Sequence, residues 1–174
     1  MKSYRHVGSM IRWLQFLLLL VVCWMVMTFT HEVGHILAGW VAGGHLHSAD
    51  LRPWHLPQSH FEPNPHPLIT LWGVPLLGIA IPVLIAVIVR HRLAWMIAHF
   101  CILSNGIYLA VAWYTGDSHL DTARLFAAGS SPVIVGIYCA LTISTGYLRF
   151  RRDCINFISD APTNERKKTH AQSQ

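Results

Sequence analysis

Residues 17–42 have the sequence LLLLVVCWMVMTFTHEVGHILAGWVA, an apolar run that contains one short group of titratable side chains. The run reaches back to about Met10, so it exceeds the roughly 20 residues that a helix needs to cross a bilayer. No small-x-small cleavage site precedes His31, and apolar residues resume directly after His35. We therefore expect a retained membrane helix over about 10–42 and not a removable signal peptide.

The composition of the whole chain extends this interpretation. Of its 174 residues, 53% are hydrophobic and only 12% are charged, whereas soluble domains carry about 25% charged residues. Three more runs are long enough to span a membrane, at about 68–89, 93–114 and 131–148. The sequence predicts an all-α, integral-membrane bundle of about four transmembrane helices in one domain over residues 1–150. Residues 151–174 are predicted to form a cytoplasmic, disordered tail.

The basic residues indicate how the bundle is oriented. Eleven of the 13 Lys and Arg residues lie before the first run, between the second and third, or after the fourth, and only Arg52 and Arg124 lie elsewhere. The positive-inside rule then predicts a multi-pass protein of a bacterial-type cell membrane with both termini cytoplasmic. This distribution favours a lipid bilayer as the partner and argues against nucleic acid. The outer loops would be 43–67, which is rich in His and Pro, and 115–130, which contains a short extra helix.

The four cysteines, which form no C-x-x-C pair, are predicted to be free thiols.

The sequence His31-Glu32-Val33-Gly34-His35 carries the chemistry. Residues four apart share one face of a helix, so His31 and His35 can present two imidazoles to one metal ion. Glu32 follows the first histidine, where its carboxylate can reach a water on that ion without being a ligand. This is the H-E-x-x-H arrangement of two Zn²⁺ ligands and a general base. Such residues on an apolar helix are costly in lipid and usually face a cavity or a partner.

A catalytic zinc site needs a third protein ligand. The topology places Asp117, at the outward end of the third run, on the same membrane face as His31–His35, so Asp117 is the preferred candidate. Asp121 is the second candidate, although Ser118-x-x-Asp121 also has the form of a capping box with a purely structural role. Other candidates lie in the first outer loop: Glu62, His45 and His47. Asn105, within the third run, is expected to hydrogen-bond between helices, and the alternative is that it helps to hold a substrate strand.

These residues resemble the site-2 protease class of intramembrane zinc metallopeptidases, the M50 group. The resemblance rests on His31–His35 in one membrane helix and on an aspartate two helices later, and it covers about residues 10–130. It implies that His31, His35 and Asp117 bind zinc, that Glu32 is the catalytic base, and that the substrate is a membrane protein or peptide. The family's usual second motif, Asn-Pro-Asp-Gly or Leu-Asp-Gly, is replaced here by Gly116-Asp117. Known members also carry the site toward the cytoplasmic face, whereas the charge pattern here predicts the outer face.

Two other functions remain open from the sequence. The 12 histidines are compatible with a membrane oxygenase that uses histidine boxes, although no H-x-x-H-H cluster is present. They are also compatible with a metal-binding or transport protein that collects ions on the outer loop. The sequence leaves the oligomeric state open.

Overall fold

A computed structural model of the chain describes residues 2–52 and 58–159. Within them the chain forms five helices and one small sheet: α1 (Lys2–Val41), β1 (Leu46–Asp50), β2 (Gln58–Phe61), α2 (Pro67–Val89), α3 (Arg92–Thr115), α4 (Asp121–Ala127) and α5 (Pro132–Ser159). Four of the helices are long and apolar enough to cross a membrane: α1 from Met10 onward, α2, α3 and α5. The all-α membrane bundle with a short extra helix, α4, is thereby confirmed.

The long helices pack as antiparallel neighbours, with α1 against α2, α2 against α3, and α3 against α5. Small residues allow these close contacts, as is typical of membrane helices. A Cβ atom on Gly34 of α1 would lie 2.9 Å from the carbonyl oxygen of Gly73 in α2, and one on Gly146 of α5 would lie 2.6 Å from the backbone nitrogen of Leu103 in α3. The motif helix therefore lies almost backbone to backbone against its neighbour.

Two prolines lie inside α2 without ending it, namely Pro75 and Pro82. A proline inside a helix leaves a carbonyl of the preceding turn without its usual N–H partner. The side chain of Thr30 on α1 approaches the carbonyl of Gly78, the residue four before Pro82, at 3.5 Å. Neighbouring helices thus supply polar groups where α2 lacks its own, as expected for helices within a bilayer.

The loop between α1 and α2, which the sequence predicts to be the first outer loop, contains a β-hairpin that the sequence did not predict. Strands β1 and β2 pair antiparallel, with Leu46 opposite Phe61 and Asp50 opposite Gln58. Phe61 is buried, and its ring packs against Gly39 near the end of α1 and against Gly44 just after that helix. This contact ties the hairpin to the end of the helix that carries the H-E-x-x-H residues.

The last helix is longer than the sequence predicted. α5 continues past Leu148 to Ser159, because its apolar residues find partners there: the ring of Phe150 contacts that of Phe100 on α3, and Phe157 contacts Phe16 on α1. The start of the expected disordered tail is therefore helical. The rest of that tail, residues 160–174, lies outside the described residues.

An apolar core anchors the short outer helix α4 to the bundle. Leu125 of α4 is fully buried in a cluster with residues of α2, α3 and α5: Leu71, Leu109, Val135 and Cys139. The hydroxyl of Thr122 donates a hydrogen bond to the carbonyl oxygen of Leu109 at 2.8 Å. These contacts fix where the first residue of α4, Asp121, lies relative to α1. All four cysteines are free thiols, as predicted.

Candidate metal centre

The two histidines of the motif meet a carboxylate at the end of the bundle where α1 ends and α2 begins. The charge pattern predicts that this end faces outward, so it is called the outer end. Nε2 of His31 lies 3.2 Å from Oδ2 of Asp121, and Nε2 of His35 lies 3.5 Å from Oδ1 of the same residue. All three side chains are at least about nine-tenths buried, with exposures of 12%, 8% and 6%. Asp121 therefore bridges two imidazoles that face it from one side of α1.

Asp121 is the second of the two aspartates that the sequence offered. The N-cap of α4 is Leu120, and no side chain caps this helix. The capping box with Ser118 therefore does not form, and Asp121 is the first residue of the helix. Burial alone would raise the pKa of the Asp121 carboxyl, but its hydrogen bonds to His31 and His35 outweigh burial and hold this pKa well below its usual range.

Asp117, the preferred sequence candidate, lies elsewhere. It is exposed, follows the left-handed C-cap Gly116 of α3, and accepts a hydrogen bond from the backbone N–H of His119 at 2.9 Å. Among the described residues it forms no ion pair with His31 or His35. The structure brings Asp121, not Asp117, to the histidines, because the chain makes a turn after α3 before α4 packs back onto the bundle.

Glu32 lies beside the histidines and is in contact with the hairpin. It is 2% exposed, and its Oε2 accepts a hydrogen bond from the hydroxyl of Ser59 on β2 at 2.8 Å. One ligand atom each from His31, Glu32 and His35 lie within 4.8 Å of one another. Two sets of three donors therefore share the histidines, one completed by Glu32 and the other by Asp121.

The Asp121 carboxylate lies at a distance that suits a zinc ligand. Its Oδ2 is 3.2 Å from Nε2 of His31 and its Oδ1 is 3.5 Å from Nε2 of His35, close to the roughly 3.4 Å between neighbouring ligand atoms of a tetrahedral site with bonds of about 2.0–2.1 Å. Two imidazoles and one carboxylate are also the ligand types of catalytic zinc sites with an open fourth position. In addition, the hydroxyl of Ser59 already donates a hydrogen bond to the carboxylate of Glu32, which holds that carboxylate beside the histidines.

A second layer of polar groups orients His31. Nδ1 of His31 lies 3.4 Å from Oδ1 of the fully buried Asn105 on α3. The amide nitrogen of Asn105 donates to the carbonyl oxygen of Cys101 at 2.9 Å, so the amide oxygen faces the imidazole. If Nδ1 of His31 donates its proton to this oxygen, the lone pair of Nε2 is free to bind a metal ion. The ring of Tyr108 packs edge-on against His31 with 5.0 Å between centroids.

The sequence favoured a contact between helices for Asn105, and it did not single out Ser59 or Tyr108. No local pattern marks these residues, because each belongs to the site through the packing of a different element. Proximity to a buried H-E-x-x-H helix in three dimensions is the only signal that finds them.

The loop candidates do not reach the histidines. Glu62 is 76% exposed and lies 3.6 Å from His60, and His45 is exposed next to the hairpin. His47 is exposed on β1 and contacts the ring of His60, with centroids 6.1 Å apart. Of this loop, the described residues that line the cavity at the metal centre are Ser59 and His60.

The centre opens into a cavity of about 400 Å³ whose wall includes both histidines, Glu32, Tyr108 and Asp121. A second cavity of about 350 Å³ continues from it between the hairpin, α2 and α4. The two cavities share four residues: His35, Ser59, His60 and Arg124. A ligand that enters between the hairpin and α4 would therefore pass directly over the candidate metal ligands.

Comparisons of the chain with protein-family models, with curated proteins and with solved structures find no match.

Proposed function

We propose that this chain is a membrane-embedded zinc metallopeptidase that hydrolyses peptide bonds in or near the bilayer. The observation that carries the proposal is the carboxylate of Asp121, 3.2 and 3.5 Å from the Nε2 atoms of His31 and His35. Glu32 follows the first of these histidines in the chain and is buried beside them. Three ligands and a separate carboxylate are the parts that zinc hydrolysis requires.

Each group has a distinct role in the proposed reaction. A zinc ion bound here would polarise a peptide carbonyl and lower the pKa of a water molecule toward about 7. Glu32 would act as the general base, taking a proton from the attacking water and later giving it to the leaving amine. Ser59 holds the carboxylate of Glu32 by its hydrogen bond, and Asn105 holds the ring of His31.

The surroundings of the centre support an extended peptide as substrate. The two connected cavities form a path past His35, Ser59 and Arg124 at the outer end of the bundle. By the positive-inside rule this end faces away from the cytoplasm and both chain termini face toward it. Substrates would then be membrane-protein segments that emerge on the non-cytoplasmic side.

The two other functions receive less support. A histidine-box oxygenase gathers many histidines around its metal ions, whereas the buried group in the described residues contains only His31 and His35. A collector of metal ions would use the loop histidines. Of these, His45, His47 and His60 are exposed, and they lie apart from the buried carboxylates of Glu32 and Asp121. Neither function needs a second carboxylate beside the histidines in addition to a third ligand.

The first test is the zinc content of the purified full-length protein. We expect one zinc per chain in the wild type, loss of most of it in Asp121→Asn, and full retention in Asp117→Asn. The second substitution is a matched control, because it removes the same charge four residues earlier on the exposed side of the turn. Equal zinc contents in the two variants would contradict the assignment of Asp121 as a ligand.

The second test separates catalysis from metal binding. Glu32→Gln is expected to keep its zinc and to lose at least about a hundredfold in the rate of peptide hydrolysis, since general-base catalysis contributes 10²–10⁴-fold. Casein, which is unfolded and offers many peptide bonds, is a suitable probe in detergent solution. Restoration of activity by zinc after removal with a chelator is the positive control. Unchanged hydrolysis in Glu32→Gln would sink the mechanism.

A further inference from the structure

Another cavity lies at the opposite end of the bundle from the candidate metal centre. It has a volume of about 670 Å³ and lies between the N-terminal part of α1, the start of α3 and the C-terminal part of α5. Its charged lining consists mainly of guanidinium groups, with one imidazole–carboxylate pair among them: Arg12, Arg92, Arg149, Arg152, His99 and Asp153. The proposed peptidase reaction uses none of these residues.

The one carboxylate among the described lining residues, that of Asp153, is paired with an imidazole. Oδ2 of Asp153 lies 2.7 Å from Nδ1 of His99, and both side chains are largely buried, at 25% and 16% exposed. The acid is thus engaged by the imidazole on α3. Arg12 is positioned from the other side, where it donates a hydrogen bond to the carbonyl oxygen of Ile158 at 2.9 Å. Three elements therefore hold a basic cavity around one internally paired acid.

The depth of the cavity coincides with a membrane surface. Arg149 follows Pro132, the first residue of α5, by a rise of about 26 Å at 1.5 Å per residue, which is close to the roughly 30 Å thickness of the hydrocarbon layer. His99 lies about 10 Å along α3 from Arg92 by the same rise, so the cavity extends inward from the helix ends. The ring of Trp95 forms part of its wall, and tryptophan is enriched at this depth.

We propose that this cavity binds the phosphate of an anionic phospholipid head group from the leaflet that meets this end of the bundle. Guanidinium groups match phosphate oxygens with paired hydrogen bonds, which makes arginine well suited to recognise this anion. The apolar side chains of Met96 and Phe157 in the wall suit the glycerol and the first methylene groups of a lipid. This inference stands independently of the peptidase proposal.

Arg151 distinguishes a binding site from a set of charges that only determine the orientation in the membrane. It lies on α5 between the cavity-lining Arg149 and Arg152, is exposed, and is absent from the lining of the cavity. A role in orientation alone requires only that all three arginines lie on the same side of the membrane. A binding site requires two of them and not the third.

The experiment measures lipid retention by native mass spectrometry of the full-length protein in a mild detergent. Dioleoylphosphatidylglycerol is titrated into the wild type, into Arg152→Gln and into the matched control Arg151→Gln, and the titration is repeated with dioleoylphosphatidylcholine. Sodium phosphate in a parallel series tests free phosphate as the source of the anion. Arg149→Gln provides a second cavity variant for the case that Arg152→Gln does not fold.

We expect Arg152→Gln to weaken the apparent affinity for phosphatidylglycerol about tenfold or more, the loss expected when a hydrogen bond to a charged group is removed. Arg151→Gln should change it less than about twofold, since its side chain makes no contact with the cavity. Equal retention of both lipids, or equal effects of the two arginine variants, would overturn the proposal. Displacement of the lipid by millimolar phosphate would also overturn it, by assigning the cavity to a free anion.

Discussion

The two ends of the bundle carry polar side chains in opposite ways. At the outer end, His31, His35 and Asp121 are buried and face one another. At the opposite end, Arg149 and Arg152 are exposed beside an open cavity. A buried polar group is costly unless its partners are fixed, whereas a long basic side chain reaches the membrane surface by itself. The outer end therefore depends on precise packing, and the other end depends mainly on depth and charge.

Among the variants that test this difference between the two ends, Asn105→Ala should have the largest effect. We expect zinc affinity to fall about 10- to 100-fold, as is typical when a group that orients a metal-bound histidine is removed. Competition with a chelator of known affinity measures the change. Asn105→Asp retains an oxygen facing Nδ1 of His31 and should restore most of the affinity. The control is Asn156→Ala in the opposite cavity, and an equal loss of zinc there would contradict the separation of the two ends.

Gly34→Ala tests the precise packing behind the outer end. The new Cβ would lie 2.9 Å from the carbonyl oxygen of Gly73, and overpacking of this kind costs about 1–3 kcal/mol. Thermal unfolding in detergent should show a lower midpoint than the wild type. The matched control is Gly136→Ala on α5, where the nearest atom is a ring carbon of Trp113 at 3.7 Å. A lower midpoint in the control than in Gly34→Ala would contradict this account of the α1–α2 contact.

Ser59→Ala should have a smaller effect, confined to the rate. It removes the hydrogen bond to the carboxylate of Glu32, so hydrolysis of casein should change a few-fold, the equivalent of about 1 kcal/mol for one hydrogen bond. Zinc content should stay the same, because the hydrogen bond of Ser59 goes to Glu32, which is not one of the proposed metal ligands. Ser48→Ala, on the facing strand and exposed, serves as the control. A loss of zinc in Ser59→Ala would mean that the hairpin supports the metal itself.

Arg152→Gln should leave zinc content and casein hydrolysis unchanged within about twofold, because Arg152 lines the cavity at the opposite end of the bundle and not the one at the metal centre, and distant sites act independently. This is the smallest expected effect and the sharpest test of independence between the ends. Parallel loss of zinc and of lipid in this variant would show that the two ends are coupled through α3 or α5.

Much of the fold follows from local sequence, because a membrane helix identifies itself by an unbroken apolar run. The four spans were predicted in this way, and the structure confirms them. The hairpin was not predicted, since its strands are only four and five residues long and lack an alternating pattern. The extension of α5 to Ser159 was missed for a similar reason: Arg149 and Arg152 suggest a polar tail, while the aromatic contacts that continue the helix are made with distant residues.

The candidate site divides along the same line. His31, Glu32 and His35 are neighbours on one helix, so their spacing alone brings them together. The choice between Asp117 and Asp121 depends on how far the chain travels before it returns to the bundle. That distance is fixed by Thr122, which bonds to the carbonyl of Leu109, and by the burial of Leu125. Neither contact is visible in the linear order of residues, which favoured the first aspartate after α3.

The close contact of Gly34 with Gly73 also bears on how distant relatives of this chain can be sought. The fourth residue of His31–His35 has no chemical role in a zinc site, yet the backbone of α2 leaves no room there for a side chain. A useful search pattern is therefore H-E-x-G-H followed about 40 residues later by a glycine within an apolar run, with an aspartate opening a short helix after the next span. Such a pattern describes the contact between two helices as well as the candidate metal site. It should therefore separate related sequences from chance matches better than the five-residue motif alone.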